Sequence, residues 1–354
     1  MLRRLIVVSA VLVSLAFFVQ ARQHGHTERT RRSSTHGRRL TRKSALPPVS
    51  TFVSDSGGRE LIVRLLDVGQ GDATYIRNGS SRVIIDGGPD PATFGRFLDS
   101  LRLNGSTIDV VILSHPHLDH YSGLRELFTT SRHIRVRYFF ENKDPGPAAT
   151  LATLRDSILS RVDRDSLIYR DTGDPCSNGH PICTITMTGG AKLHILAPMP
   201  NGNGPNNRST AVKIIGPDSA SFTMWLAGDA EHEEIAWFDS AGYGHDPGMR
   251  VNVLKADHHG SCNGVTPDYL AVTGPAWAVV SVGARNEYGH MHIQAKNIYR
   301  TAGVPWYRTD QNGTITIRSP GIPEKGFSII PERPGTDLNG PGDRVSHQPG
   351  CIAP

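Results

Sequence analysis

Ser114-His-Pro-His-Leu-Asp-His-Tyr-Ser-Gly123 places the imidazoles of His115, His117 and His120 and the carboxylate of Asp119 within six positions. A single histidine in a polar loop ordinarily only hydrogen-bonds. Four such groups at this spacing point to a bound cation, and imidazole with carboxylate suits zinc, or else manganese or iron. The run just before, Asp109-Val-Val-Ile-Leu113, is apolar and β-branched and reads as a buried strand. The histidines therefore sit past its carboxyl end, where an α/β sheet presents its ligands. Leu226-Ala-Gly-Asp229 repeats the device, since a glycine before an aspartate at a strand end lets the carboxylate project with little steric cost. A helix N-cap is the competing role for Asp229. In Asp257-His258-His259-Gly260-Ser261 adjacent histidines diverge, so one is expected to be a ligand, assigned to His258, and the other to face substrate or to support the ligands from behind.

His115-x-His117-x-Asp119-His120 resembles the signature of the metallo-β-lactamase superfamily. Further stretches, in order, resemble the hydrolase domain of the ComEC/Rec2 competence proteins: Asp67-Val-Gly-Gln-Gly-Asp72, Ile85-Asp86-Gly-Gly88, Leu226 to Asp229, Lys255 to Ser261, Tyr288-Gly-His-Met-His292 and Tyr307 to Gly313. The likeness covers about residues 60 to 318. It implies a four-layer αββα sandwich with two divalent metals, zinc expected and manganese the alternative. His115, His117 and Asp229 would hold one metal; Asp119, His120, Asp229 and His258 the other. Asp72 and Asp86 would orient ligands. Asp119, with His259, His290 and His292, supplies the candidates for charge stabilisation and protonation of the leaving group. Where many superfamily members place a third histidine for the first metal, this chain reads Asn206-Asn-Arg-Ser-Thr210, so Asn207 or a water would complete that site.

The 354 residues suffice for a full core, and 37 Gly with 24 Pro suit a turn-rich α/β protein. The net charge of +5 is uneven. Residues 1–48 hold ten basic residues and one acid, +9; the remainder holds 28 bases and 32 acids, −4. A global basic footprint for nucleic acid is thus absent from the body. Met1-Leu-Arg-Arg4, the apolar run Leu5 to Val19 and the small residue Ala21 read as a signal peptide over 1–21, an N-terminal anchor being the rival; either places the body outside the cytoplasm, secreted or periplasmic. Residues 22–58 read as a basic disordered linker, able to touch membrane or cell wall, 59–320 as the hydrolase domain, and 321–354 as a Pro/Gly-rich tail outside the fold.

Within the domain, Leu61 to Leu66, Ala73 to Ile76 and Arg82 to Ile85 read as an antiparallel meander. Helices are expected at 94–103, 121–129, 148–162, 231–239, 267–271 and 293–301, and strands at 136–140, 166–169, 192–196, 211–215, 221–227, 251–254, 278–282, 306–308 and 314–317. Four cysteines permit three pairings; Cys176 with Cys183 closes a small loop, which leaves Cys262 and Cys351 to pin the tail near the site.

These residues predict an exported hydrolase using a dinuclear-metal-activated hydroxide on phosphodiesters, small or nucleic-acid-like, with Arg208, Lys213 and Arg285 as candidate phosphate contacts. Alternatives are a lactonase, β-lactamase or phosphocholine-esterase, because fold does not fix function, and a non-catalytic metal-binding module. Oligomeric state is not legible.

Overall fold

The computed structural model describes residues 58–351, apart from residues 147, 165, 219–220, 246, 323–324, 336–338 and 349. The expected signal peptide, and the linker up to residue 57, lie outside the described residues. In chain order the strands are β1 (Leu61–Leu65), β2 (Thr74–Asn78), β3 (Ser81–Ile85), β4 (Thr107–Ile112), β5 (Arg135–Glu141), β6 (Ile168–Asp171), β7 (Ile182–Thr186), β8 (Lys192–Leu196), β9 (Ala211–Ile215), β10 (Thr223–Leu226), β11 (Val253–Lys255), β12 (Trp277–Val280), β13 (Trp306–Arg308), β14 (Ile315–Ser319) and β15 (Ser328–Pro331). The helices are α1 (Pro91–Ser100), α2 (Leu118–Tyr121), α3 (Ala149–Val162), α4 (His232–Phe238), α5 (Pro267–Thr273), α6 (Ile293–Thr301) and α7 (Thr309–Asn312).

One sheet runs β15-β14-β1-β2-β3-β4-β5-β6 and the other β13-β12-β11-β10-β9-β8-β7. The expected meander is present, with Leu61 opposite Asn78 and Thr74 opposite Ile85. From β3 to β6 the first sheet is parallel, as is the second from β10 to β13. Alternation along each strand sorts side chains to two faces. Val83, Ile85, Val110 and Ile112 meet Val212, Ile214, Met224 and Leu226 in a core between the sheets. Ile84 and Val111 instead face Phe94, Leu98, Leu151 and Leu154 of α1 and α3. Trp225 and Leu254 face Phe238, Tyr269 and Tyr299 of α4, α5 and α6. Two sheets covered on both outer faces by helices make the αββα sandwich, as expected.

Three expectations need correction. The helix placed at 121–129 starts at Leu118, and from Ser122 to Phe128 it tightens to a 3₁₀ form. There Gly123 packs so closely on Gly87 that a Cβ would lie 1.9 Å from the Gly87 carbonyl oxygen. Asp119 and His120 therefore belong to a helical first turn. Secondly, residues 182–186, assigned to no element from the sequence, form β7, where Cys183 and Ile185 alternate into the core.

Thirdly, the segment after Pro320 is part of the fold. β15 adds antiparallel to β14, and Asp343 accepts from Lys296 Nζ at 2.6 Å and Arg308 Nη1 at 2.9 Å. The Arg344 backbone bonds both Gly289 and Ile293. Cys262–Cys351 and Cys176–Cys183 are both disulfides. A Pro/Gly-rich composition disfavours helix and strand interiors but does not prevent a few well-placed side chains from holding an extended segment down.

Candidate metal centre

The site lies where the carboxyl ends of β3, β4, β10 and β11 meet. After β4, His115 Nε2 stands 3.0 Å from His117 Nδ1 and 3.7 Å from Asp229 Oδ2. That same Asp229 oxygen lies 3.2 Å from His120 Nε2 and 3.3 Å from His259 Nε2, and His259 Nε2 is 3.3 Å from Asp119 Oδ2. Two groups able to hold a cation thus share one carboxylate: His115, His117 and Asp229, then Asp119, His120, Asp229 and His259.

Backbone geometry explains how. Gly228 has φ +57°, and its missing Cβ would sit 2.9 Å from the Ser114 side chain, so the β10 turn presses against the β4 turn. Asp257-His258-His259-Gly260 follows β11 with φ of +47° at His258 and +55° at His259. Consecutive left-handed non-glycine residues are costly and persist only where surroundings hold them, which is typical of functional turns.

The turn decides between the two histidines. His259 is buried, its Nδ1 donates to the Ser281 carbonyl at 3.0 Å, and Nε2 points at Asp119 and Asp229. His258 turns to the rim, with Nδ1 3.1 Å from Asn263 Oδ1 and Nε2 3.9 Å from Asp229. The ligand place assigned to His258 is therefore occupied by His259, because the left-handed turn reverses which ring faces inward.

The supporting atoms fix tautomers. His120 Nδ1 donates to Asp86 Oδ2 at 2.9 Å, leaving the Nε2 lone pair to face inward. Ser114 Oγ gives its proton to Asp86 at 2.7 Å and so accepts from His115 Nδ1 at 3.1 Å, which frees His115 Nε2 likewise. Carboxylate or carbonyl behind imidazole is the arrangement that orients metal-binding histidines. His120 Nε2, His259 Nε2 and Asp229 Oδ1 are buried without a hydrogen-bond partner. Such orphans are rare in native interiors, and together with the donor set they fit a resident divalent cation. Burial drives the His115 and His117 pKa values down. Burial also opposes charge on His120 and His259, but Asp229 and neighbouring carboxylates outweigh it, lifting His120 well above its usual range and His259 to about 10. Proton and cation compete for the same lone pairs.

Asp72, buried, has Oδ2 2.6 Å from Lys255 Nζ and 3.8 Å from His120 Nδ1. Lys255, also buried, donates to the Gly228 carbonyl at 3.0 Å and offsets the clustered acids. Its role was overlooked; its place in the Lys255 to Ser261 motif was the available signal. Asp67 lies elsewhere, paired with Arg333.

Asn207 is not at the centre: its Oδ1 accepts from the Glu234 amide and its Nδ2 donates to the Asn203 carbonyl. Asn206 faces the cleft instead, with Nδ2 2.8 Å from Glu231 Oε1 and 3.5 Å from His258 Nε2. His290 does reach the cleft, its ring 5.4 Å from that of His258 and 6.0 Å from that of His259. Burial, then the neighbouring imidazoles, lower its pKa to about 2. His292 does not serve there: its Nδ1 accepts from the Cys262 amide at 3.1 Å and Nε2 donates to the Tyr288 carbonyl at 3.1 Å. Of the three candidate phosphate contacts, Arg208 pairs with Asp144 and Lys213 donates to the Pro247 and Gly248 carbonyls. Arg285 is exposed.

Residues 66–138 match the family model of the metallo-beta-lactamase superfamily. Over 281 residues the chain is 25% identical to ComE operon protein 3 of Bacillus subtilis, covering 72% of this chain and 33% of that protein. It therefore spans about a third of the length of that relative. Among solved structures, the metallo-beta-lactamase fold protein YhfI of Bacillus subtilis is similar at 12% identity and TM-score 0.46, over 73% of this chain and all of that one. The short form of human tRNase Z is similar at 15% identity and TM-score 0.38, over 62% and 91%. The family model and the competence-protein relative agree with the resemblance carried by the motifs. Among the described residues, no helix is long and apolar enough to cross a membrane.

Proposed function

We propose that this metallo-β-lactamase-superfamily hydrolase is exported and cleaves phosphodiester bonds at a two-metal site. The observation that carries the reading is the sharing of Asp229 Oδ2 between the two ligand groups. Two cations held by groups that share one carboxylate would suit in-line displacement at phosphorus. His115, His117 and Asp229 would hold one cation and Asp119, His120, Asp229 and His259 the other, zinc or manganese by the chemistry of the donors. When bound, the pair supplies Lewis acidity and lowers the pKa of coordinated water from 15.7 to about 7.

The protein's own groups do the rest. Asp86, Ser114 and the Ser281 carbonyl hold the imidazoles in ligating tautomers. Lys255 balances the charge of Asp72. His290, buried with its ring 5.4 Å from that of His258 and 6.0 Å from that of His259, is placed to meet the leaving oxygen. Two disulfides support an oxidising compartment, in agreement with the signal-like residues 1–21. The likeness of the six ordered motifs to a competence-type domain favours phosphodiesters over lactones, β-lactams and phosphocholine esters, and the intact ligand set argues against a non-catalytic module.

The test is to assay the purified, zinc- or manganese-loaded protein against bis-p-nitrophenyl phosphate, single-stranded DNA, nitrocefin and a lactone, with metal analysis alongside. Two metals per chain and turnover of the first two substrates are expected. Turnover of nitrocefin or lactone alone reassigns the substrate, and a metal-free, inert protein overturns the reading.

A further inference from the structure

Gln70 lies in the turn between β1 and β2, in the Asp67 to Asp72 motif, and has no role in the ligand set. Its side chain spans two distant segments. The Gly283 amide donates to Gln70 Oε1 at 3.0 Å, and Gln70 Nε2 lies 3.3 Å from His290 Nδ1. A backbone N–H can only donate, so the oxygen end of the amide must face Gly283 and the NH₂ end His290. An NH₂ can likewise only donate. His290 Nδ1 must then be the acceptor, which leaves the ring's one proton on Nε2.

The surroundings are built for this contact. A Cβ on Gly283 would fall 2.5 Å from the Gln70 backbone nitrogen, so only glycine lets the two segments approach. Asn286 clamps the His290 backbone from both sides, accepting from its N–H at 2.9 Å and donating to its carbonyl at 2.5 Å. Tyr288 stacks on one side of the imidazole at 5.6 Å and 27°, and His259 lies at 6.0 Å and 29°. With ring plane and Nδ1 both fixed, the Nε2–H is the group left for the cleft.

We propose that Gln70 is a positioning residue that, through the Gly283–Gln70–His290 chain, holds His290 as the Nε2–H tautomer and makes it a hydrogen-bond donor to the leaving oxygen of the substrate. The catalytic part rests on the phosphodiesterase reading above; the tautomer does not. Gln70→Glu keeps the shape but reverses the second link. One carboxylate oxygen still accepts from Gly283, and the other demands a proton on Nδ1.

Long-range ¹H–¹⁵N spectra of the zinc-loaded, histidine-labelled protein, with His290 assigned through His290→Gln, read the tautomer directly. Wild type should show Nε2 protonated and Nδ1 bare, and Gln70→Glu should show Nδ1 protonated. Gly283→Ala, which pushes Gln70 away without changing charge, should shift the Nδ1 resonance toward that of a water-exposed imidazole. A wild-type His290 protonated on Nδ1, or resonances unmoved in both variants, overturns the proposal. With single-stranded DNA, whose leaving alkoxide needs a proton, Gln70→Glu should lower kcat by about 10²-fold with KM changed less than about threefold, the size of a lost proton donor. An unchanged kcat overturns the catalytic part. If wild type hydrolyses no phosphodiester, the functional reading fails while the tautomer result stands or falls by its spectrum.

Discussion

His120 Nε2 lies 3.2 Å from Asp229 Oδ2 while its Nδ1 is bound to Asp86 at 2.9 Å, so one imidazole bridges a supporting carboxylate and the shared ligand. Asp86 also takes the Ser114 amide and hydroxyl. Asp86→Asn should therefore loosen two ligands at once, through His120 directly and His115 by way of Ser114. Metal affinity should fall about 10- to 100-fold, as is usual for groups behind metal-bound histidines, measured by competition with a chromogenic chelator. Unchanged affinity would show that Asp86 is only a strand-end cap.

His258 and His259 separate cleanly by variant. His259→Ala should lose about one metal per chain by elemental analysis, since it removes an inward ligand. His258→Ala should retain the wild-type stoichiometry. The reverse outcome would mean that the left-handed turn flips when metal binds.

The Asp343 carboxylate holds the C-terminal segment against the buried Lys296 and Arg308. Burial pushes its pKa up, but hydrogen bonds from Arg308 and Lys296 more than offset this, and it sits below the usual carboxylate range. A carboxyl lowered on folding stabilises above its unfolded pKa of about 3.9, and that contribution is lost as pH falls through the folded value. Asp343→Asn should cost about 1–3 kcal/mol at neutral pH, because Lys296 loses its carboxylate while Arg308 keeps Asp310. Its Tm should depend less on pH below 4 than that of wild type.

The two disulfides should differ in worth. Cys262–Cys351 ties residues 89 apart and Cys176–Cys183 residues 7 apart, and loop-closure entropy rises with the length tied. Cys351→Ser should cost about 2–4 kcal/mol in denaturant unfolding and raise amide exchange in β15. Cys176→Ser should cost less. Equal losses would argue that native-state strain, not chain entropy, sets the stabilisation.

Much of this was legible because it is local. Apolar runs such as Val83-Ile-Ile85 and Met224-Trp-Leu226 mark strands buried on both faces, and the spacing of His115, His117, Asp119 and His120 marks candidate ligands beyond a strand end whatever lies opposite. The motifs sufficed for the sandwich and for Asp229.

What the sequence could not decide depends on backbone direction and on partners far along the chain. Two adjacent histidines look equivalent until left-handed φ values turn His259 inward. Asn206 and Asn207 differ only in which way a short turn faces. His290 and His292 are told apart by Gln70, 220 residues from His290, and by the Cys262 amide. Asp343 is an unremarkable acid in a Pro/Gly-rich stretch until folding brings it to Lys296 and Arg308. Side-chain type and spacing set which chemistry is available; tertiary structure alone chose which of the available groups perform it, because only folding fixes where each lone pair points.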